Sequence, residues 1–360
     1  MWSEVYIAFI LISTVIFLTA RSYALSKRKL KLIIDPEELT VIVPFRNEYK
    51  NLKRLVECLN DQTVIPSKVI FVNDHSNDEG IKVVADWCSL NEIGFVLQLE
   101  DGQFGKKKAI EIGVKQANSK NILTIDADTW FGSKFIESIV IDENVSMTCG
   151  PVILEPKGIN QLFFSVEHMF FNSFNYLISP FYTLSASGAN LLFNRESFIE
   201  NNDLKKHEAI SSGDDHFLLR NFQSNRLKIE TINDPLRIVY TDAPSSFNAY
   251  LEQRIRWFGK TLKKTDLKEA LFGLYITIYL IAGFGICLFS LFQAEYESII
   301  TIFLTRFILD SLILLIYGFR MGKGKYIFML PFFQLIYPVV YIVIIIGSLV
   351  YTPTWKGRKI

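Results

Sequence analysis

The stretch ILTIDADTWF, residues Ile122–Phe131, runs a short β-branched and apolar segment into two aspartates separated by one alanine. Ile122, Leu123, Thr124 and Ile125 have the composition of a strand that crosses a buried sheet. Asp126 and Asp128 then stand at its C-terminal end. In open α/β sheets that end is where ligands bind, and two carboxylates there can give oxygen ligands to a hard divalent cation carrying a diphosphate. Aspartate also favours plain turns, so the surrounding sequence has to decide.

Outward from this stretch, strands alternate with helices. Leu39–Val43 predicts a strand stopping at Pro44, Asn51–Leu59 a helix, Val69–Val72 a strand, Glu79–Leu90 a helix, Gly94–Leu99 a strand and Lys107–Gln116 a helix. Such alternation with short connections implies a parallel sheet with right-handed crossovers. Three strand ends then carry polar clusters: Arg46-Asn47-Glu48, Asn73-Asp74, and Asp126 with Asp128. In a parallel sheet these clusters converge on one edge. The chain has neither a G-x-x-x-x-G-K-[ST] loop nor a G-x-G-x-x-G turn, which argues against an ATPase or a dinucleotide enzyme.

Composition separates this middle from the ends. Lys and Arg number 38 against 37 Asp and Glu, a net charge of +1 in 360 residues, so nothing points to nucleic acid as a partner. Hydrophobic residues make up 50% of the chain and gather at its two ends, which is a membrane signature. Val5–Ala20 is apolar and is followed by Arg21, Lys27, Arg28, Lys29 and Lys31, the charge order of a signal anchor with its N-terminus outside. Near the lower limit of roughly 17 residues for a span, it also suits an interfacial helix. Ala270–Phe292, Ile299–Phe319 and Tyr326–Tyr351 are each near the length of a crossing. Within the middle one, Arg306 and Asp310 lie four apart and are expected to pair. The expected organisation is an anchor over 1–24, a soluble α/β domain over 39–268, membrane helices over 269–351 and a basic tail over 352–360. Cys58, Cys88, Cys149 and Cys287 form no C-x-x-C and are expected to be reduced, buried thiols; the four histidines show no zinc spacing.

Seven pieces in order, TVIVPFRNE, VNDHSND, GKKKAI, IDADTWF, SGAN, SGDDHFLL and QRIRW, make the chain resemble the family-2 glycosyltransferases, membrane-associated inverting enzymes with a GT-A fold. The resemblance covers roughly Leu39–Lys264, and the closing WKGR, Trp355–Arg358, looks like the end of several lipid-modifying members. It implies a Rossmann-like, mostly parallel GT-A domain with an N-terminal membrane anchor and a C-terminal transmembrane bundle. Pro44, Arg46, Glu48 and Asp74 would hold the nucleotide, with Lys106 nearby. Asp126 and Asp128 would hold a divalent cation, Mg or Mn, since both suit all-oxygen ligation. Asp215 would be the catalytic base beside Asp214, which is Glu in many relatives. Gly188 and Asn190 would shape the floor beside the donor sugar. Gln253, Arg256 and Trp257 share a helix and could bind phosphate and offer a ring to a sugar or acceptor. Blander roles stay open: a turn or helix cap for Asp74, solvated helix surface for Lys106, helix capping for Asp214 and Asp215, and an interfacial basic helix with Lys260, Lys263 and Lys264 for the last motif.

Gln161–Leu184 is rich in Phe and Tyr and contains Pro180. Were it to span, Asp126 and Asp215 would face opposite sides, so it is expected as an interfacial or core helix. The expected activity is transfer from a nucleotide-diphosphate sugar, a UDP-sugar first, to a lipid or lipid-linked acceptor, from a domain facing the cytoplasm. A processive polysaccharide synthase and a non-catalytic membrane scaffold are the rivals. Basic residues of the tail favour an even number of C-terminal crossings, which would return WKGR to the side of the carboxylates.

Overall fold

The structure is a computed structural model that describes residues 1–26, 32–201, 204, 213–263, 267–350, 354–355 and 358–359. The basic residues Lys27, Arg28, Lys29, Lys31, Lys264 and Lys356, like His207, lie outside the described residues.

In chain order, α1 is Trp2–Ser26, β1 Leu32–Ile33, β2 Leu39–Phe45, α2 Tyr49–Asn60, β3 Lys68–Asn73, α3 Gly80–Leu90, β4 Gly94–Gln98, α4 Lys106–Gln116 and β5 Asn121–Thr124. Four short strands follow, β6 Thr129–Phe131, β7 Val140–Ile141, β8 Met147–Cys149 and β9 Val152–Glu155, then α5 Ile159–Ile178, β10 Leu191–Asn194, α6 Arg195–Asn201, α7 Asp214–Ser224, β11 Ile229–Thr231 and β12 Val239–Asp242. The rest is helical: α8 Phe247–Lys263, α9 Leu267–Thr277, a π-helical turn at Ile278–Ala282, α10 Gly283–Phe292, α11 Tyr296–Gly318 and α12 Leu330–Val350. The chain divides into a sheet unit, built on Lys29–Glu155 and Ser185–Asp242, and a helical unit of Met1–Arg28, Pro156–Leu184 and Ala243–Trp355.

The sheet unit is a mixed α/β fold around a seven-stranded sheet of order β11-β8-β10-β5-β2-β3-β4. From β5 to β4 all pairs are parallel, while β10 runs antiparallel to both β5 and β8. Alternation along β2 fixes the two faces. Val41, Val43 and Phe45 join Leu52, Leu55, Val84 and Trp87 from α2 and α3 in one core, whereas Ile42 joins Ile110 and Val114 of α4 and Phe217, Leu218 and Phe222 of α7 in the other. Each fully buried Leu, Ile or Phe contributes about 1.5–3 kcal/mol, so both faces are strongly held and the register cannot slip by one residue.

Two details differ from the expectation. β2 continues through Pro44 to Phe45, because its partner β5 has ended at the Ile42–Thr124 pair and the missing proline N–H faces no ladder there. Cys58, Cys88 and Cys287 are only half-buried; Cys149 alone is buried.

In the helical unit, α1, α9 with α10, α11, and the stretch Gly324–Val350 are four helices long and apolar enough to cross a membrane. Helix α5 belongs here and not to the sheet unit, with Phe164, Met169, Phe170, Phe174 and Leu177 buried among the bundle helices. It ends at Ile178, before Pro180. The expected Arg306–Asp310 pair is present at 3.5 Å, and Asp310 also accepts hydrogen bonds from the Tyr279 hydroxyl and, at 2.6 Å, from Gln334 Nε2.

Candidate active site

The C-terminal edge of the parallel strands carries two linked polar clusters. The first follows β2 and β3. Asp74 is 4% exposed; its Oδ2 accepts from the Gly105 amide at 3.1 Å, and its Oδ1 lies 3.7 Å from Arg46 Nη1, which also donates to the Asp74 carbonyl at 3.2 Å. The two loops are further stapled by Asn47, whose Oδ1 accepts from Asn77 N at 2.7 Å, and by Ser76 Oγ, which accepts from Asn47 N at 3.0 Å. Asn47 (φ 54°) and His75 (φ 55°) both sit in the left-handed region. Such conformations persist where surrounding bonds over-determine them, as they do at ligand-binding edges. Glu48 Oε2 accepts from Asn51 at 2.6 Å, and Pro44 is buried within β2.

The second cluster joins three elements distant in sequence. Lys106 opens α4 immediately after Gly105, whose φ of 91° favours glycine. Its Nζ lies 2.6 Å from Asp126 Oδ1, at the end of β5, and 3.0 Å from Asp214 Oδ2, at the start of α7. Burial works against this ammonium, but the carboxylates of Asp126, Asp214 and Asp215 outweigh it and hold its pKa above the usual lysine range. Asp215 Oδ2 accepts from the Gly188 amide at 3.3 Å and its Oδ1 from the His216 amide at 2.7 Å. A Cβ on Gly188 would stand 2.7 Å from both Asp214 Oδ2 and Lys106 Nζ, so only glycine lets the backbone lie over this pair. Asp214 and Asp215 do occupy a helix first turn, and Asp214 in addition carries the lysine.

Asp128 is exposed, two residues beyond Asp126, and its carbonyl accepts from Arg54 Nη2 at 3.3 Å. Arg54 itself stacks 3.7 Å from the Trp130 ring and lies 3.8 Å from Asp242, bracing the turn that presents the aspartates. No pattern in the sequence marks Arg54, because its partners come from β6 and β12. Asn190 is fully buried, and its amide donates to the Pro151 and Arg237 carbonyls at 3.0 and 2.7 Å, so it supports the S-G-A-N turn from below. Next to it, burial pushes the enclosed Arg237 down to about 10. Burial, and to a lesser degree Asp215, pushes the Cys149 thiol up to about 12, leaving it protonated. Gln253, Arg256 and Trp257 lie on α8 in the helical unit. There Gln253 Oε1 accepts from Arg254 at 2.9 Å, and Trp257, 38% exposed, faces His168 with ring centroids 6.2 Å apart.

The carboxylates of Asp126 and Asp128 are oxygen donors of the kind a hard divalent cation takes. Among the described residues no three His, Cys, Asp or Glu side chains converge as a cage, and Asp126 already turns a carboxylate oxygen toward a cation in Lys106. One or two carboxylates, with the remaining oxygens from a diphosphate, is how such hard ions are held in nucleotide sites.

Residues 40–201 match the family described as Glycosyl transferase family 2, and residues 121–352 match Glycosyl transferase family group 2. The 4,4'-diaponeurosporenoate glycosyltransferase of Staphylococcus aureus strain bovine RF122 / ET3-1 is 30% identical over 143 residues, 39% of this chain and 37% of that protein. The chain thus aligns with little more than a third of this curated relative. A mannosyltransferase from Pyrobaculum calidifontis, solved with GDP-Man and Mn2+, superposes with a TM-score of 0.56 at 15% identity over 97% of this chain and 98% of its own, a likeness of fold.

Proposed function

This chain belongs to the family-2 glycosyltransferases, and on that premise we propose that it transfers a sugar, with inversion, from a nucleotide-diphosphate sugar to the hydroxyl of a lipid or lipid-linked acceptor. The observation that carries the reading is the Lys106 ammonium held between Asp126 and Asp214, which ties the D-x-D strand end to the D-D helix start. A positive charge beside these carboxylates supports a reading in which it meets the negative charge that develops on a leaving diphosphate.

Each residue then has a task. Arg46, Glu48 and Asp74, on the loops after β2 and β3, orient the nucleotide. Asp126 and Asp128 would hold the divalent cation, which when bound would offset charge on the leaving diphosphate. Asp215 takes the proton of the acceptor hydroxyl as the new glycosidic C–O bond forms and the bond from the anomeric carbon to the diphosphate oxygen breaks, leaving the donor as nucleoside diphosphate. Lys106 and Asp214 keep the two carboxylate motifs in register. Gln253, Arg256 and Trp257 serve the same transfer. A UDP-sugar is the first donor to try and Mn2+ the first cation. Four membrane-length helices and the aromatic α5 support a lipid acceptor, and the basic residues that follow the first apolar run support a catalytic unit facing the cytoplasm.

Purified full-length protein should turn over UDP-glucose or another sugar of a UDP and GDP panel with membrane lipid only when Mn2+ or Mg2+ is present. Asp128→Ala should lose both turnover and cation-dependent nucleotide binding while remaining folded. Cation-dependent binding undiminished in Asp128→Ala would remove Asp128 from the site, and binding without any turnover would revive the scaffold reading. Lipid extracts of cells with and without the protein, compared by mass spectrometry, would identify sugar and acceptor together. A single cysteine at Thr354, in a background lacking the native four, tests the tail: labelling in intact cells by an impermeant thiol reagent would place it outside and favour three C-terminal crossings.

A further inference from the structure

The Q-x-x-R-W motif brackets a residue that its pattern leaves free. Arg254, between Gln253 and Ile255 on α8, is 6% exposed, and its guanidinium grips Glu167 of α5, itself 3% exposed. Nε lies 3.0 and 2.9 Å from the two Glu167 oxygens, and Nη2 donates to Glu167 Oε2 as well. The remaining arm, Nη1, donates to Gln253 Oε1 at 2.9 Å. The guanidinium carbon lies over two rings, 4.5 Å from the Trp257 ring centroid and 4.9 Å from that of Tyr250. Glu167 is held in turn by the Tyr337 hydroxyl of α12, which donates to its Oε1 at 3.2 Å. One guanidinium therefore reaches two of the three motif side chains and fixes both to a carboxylate on another helix.

We propose that Arg254, anchored by Glu167 and Tyr337, is the positioning residue of the Q-x-x-R-W motif, setting the amide of Gln253 and the indole of Trp257 in the orientation they need for transfer. The inference rests on the reading that this motif serves the reaction. A planar fork with both ends engaged suits the task, since an arginine can hold a carboxylate and an amide at fixed angles while stacking on a ring, and a lysine cannot. Burial works against the charge of Arg254, and the Glu167 carboxylate beside it outweighs burial and favours the charged guanidinium. A pair needed only for packing can be exchanged for apolar residues of similar volume without loss.

The test uses full-length protein in membranes with tritiated UDP-glucose and GDP-mannose as donors. Arg254→Lys keeps the charge and loses the fork; Glu167→Gln keeps the shape and loses the charge. Both should lower kcat by roughly 10- to 100-fold, the cost of a misplaced group, with KM for the donor nearly unchanged. Both should also shift the emission of Trp257, isolated as the difference from the same protein carrying Trp257→Phe. The double variant Glu167→Met with Arg254→Met should fold yet stay slow. A double variant of full activity, or single variants with unaltered kcat and Trp257 emission, would overturn the proposal. Gln253→Ala and Trp257→Ala separate it from the reading beneath. Should these keep full transfer, the motif reading falls; should they lose it while Arg254→Lys does not, the positioning role alone falls. Where neither donor is turned over, an unshifted Trp257 emission in both single variants suffices to overturn it.

Discussion

The two units of this chain place their buried charge differently. In the sheet unit, Lys106 and Asp126 have side chains 19% and 31% exposed, beside an Asp214 that is 7% exposed. In the helical unit, Arg254 with Glu167 and Arg306 with Asp310 are sealed, none more than 6% exposed. A charge cluster left partly open retains room for another ion or substrate and can do chemistry. Sealed pairs already have their partners and can only hold geometry, at a desolvation cost that makes them weak contributors to stability yet costly to break.

The sharpest way to break this contrast is Asp215→Asn. An amide cannot accept the proton of the acceptor hydroxyl, so turnover should fall by roughly 10²–10⁴-fold while donor affinity and melting temperature stay close to those of the parent. Equal losses of affinity and rate, measured on one preparation, would make Asp215 a binding or folding residue and erase the distinction between the units at this position.

Next in size is the opposite experiment in the bundle. Asp310→Ala strips the partner from Arg306 and from the Tyr279 and Gln334 donors, and should cost about 3–5 kcal/mol of stability. Arg306→Leu with Asp310→Leu removes both charges and should recover most of that loss. Thermal melting in detergent reads both. If the double variant melts as low as the single one, the cluster does more than satisfy itself.

Legibility in the sequence follows the same division. The strands around Asp126 could be read because burial on both faces of β2, β3 and β5 writes itself into near-continuous runs of Val, Ile and Leu. The convergence of strand ends then follows from parallel topology alone. The bridge at Lys106 could not be read, since residues 106, 126 and 214 come from three elements far apart in sequence, the start of α4, the end of β5 and the start of α7. Within the helical unit the apolar stretches are uniform, so periodicity shows length without showing which face packs. Helix α5 accordingly read as interfacial or core without its bundle partners. Arg254 was hidden in a variable position of a short motif, because its meaning lies in Glu167, 87 residues away.

The smallest expected effect is an absence, and it tests the open cluster most finely. The Lys106 pKa is raised in the folded protein, so its ion pairs stabilise fully below the unfolded lysine value near 10.4 and would be lost only as pH rises through the still higher folded value. Between pH 6 and 9 the bridge between Asp126 and Asp214 therefore stays charged, and no change in stability or donor affinity across that range should trace to it. Melting curves of the parent and of Lys106→Met, taken across about three pH units, should differ by a constant offset. A gap that closes as pH rises toward 9 would mean that Lys106 loses its proton there, which would place the amine in a drier and less paired setting than the three carboxylates give it. Such a lysine would be suited to proton transfer itself, and the base would then have to be sought at Lys106 instead of Asp215.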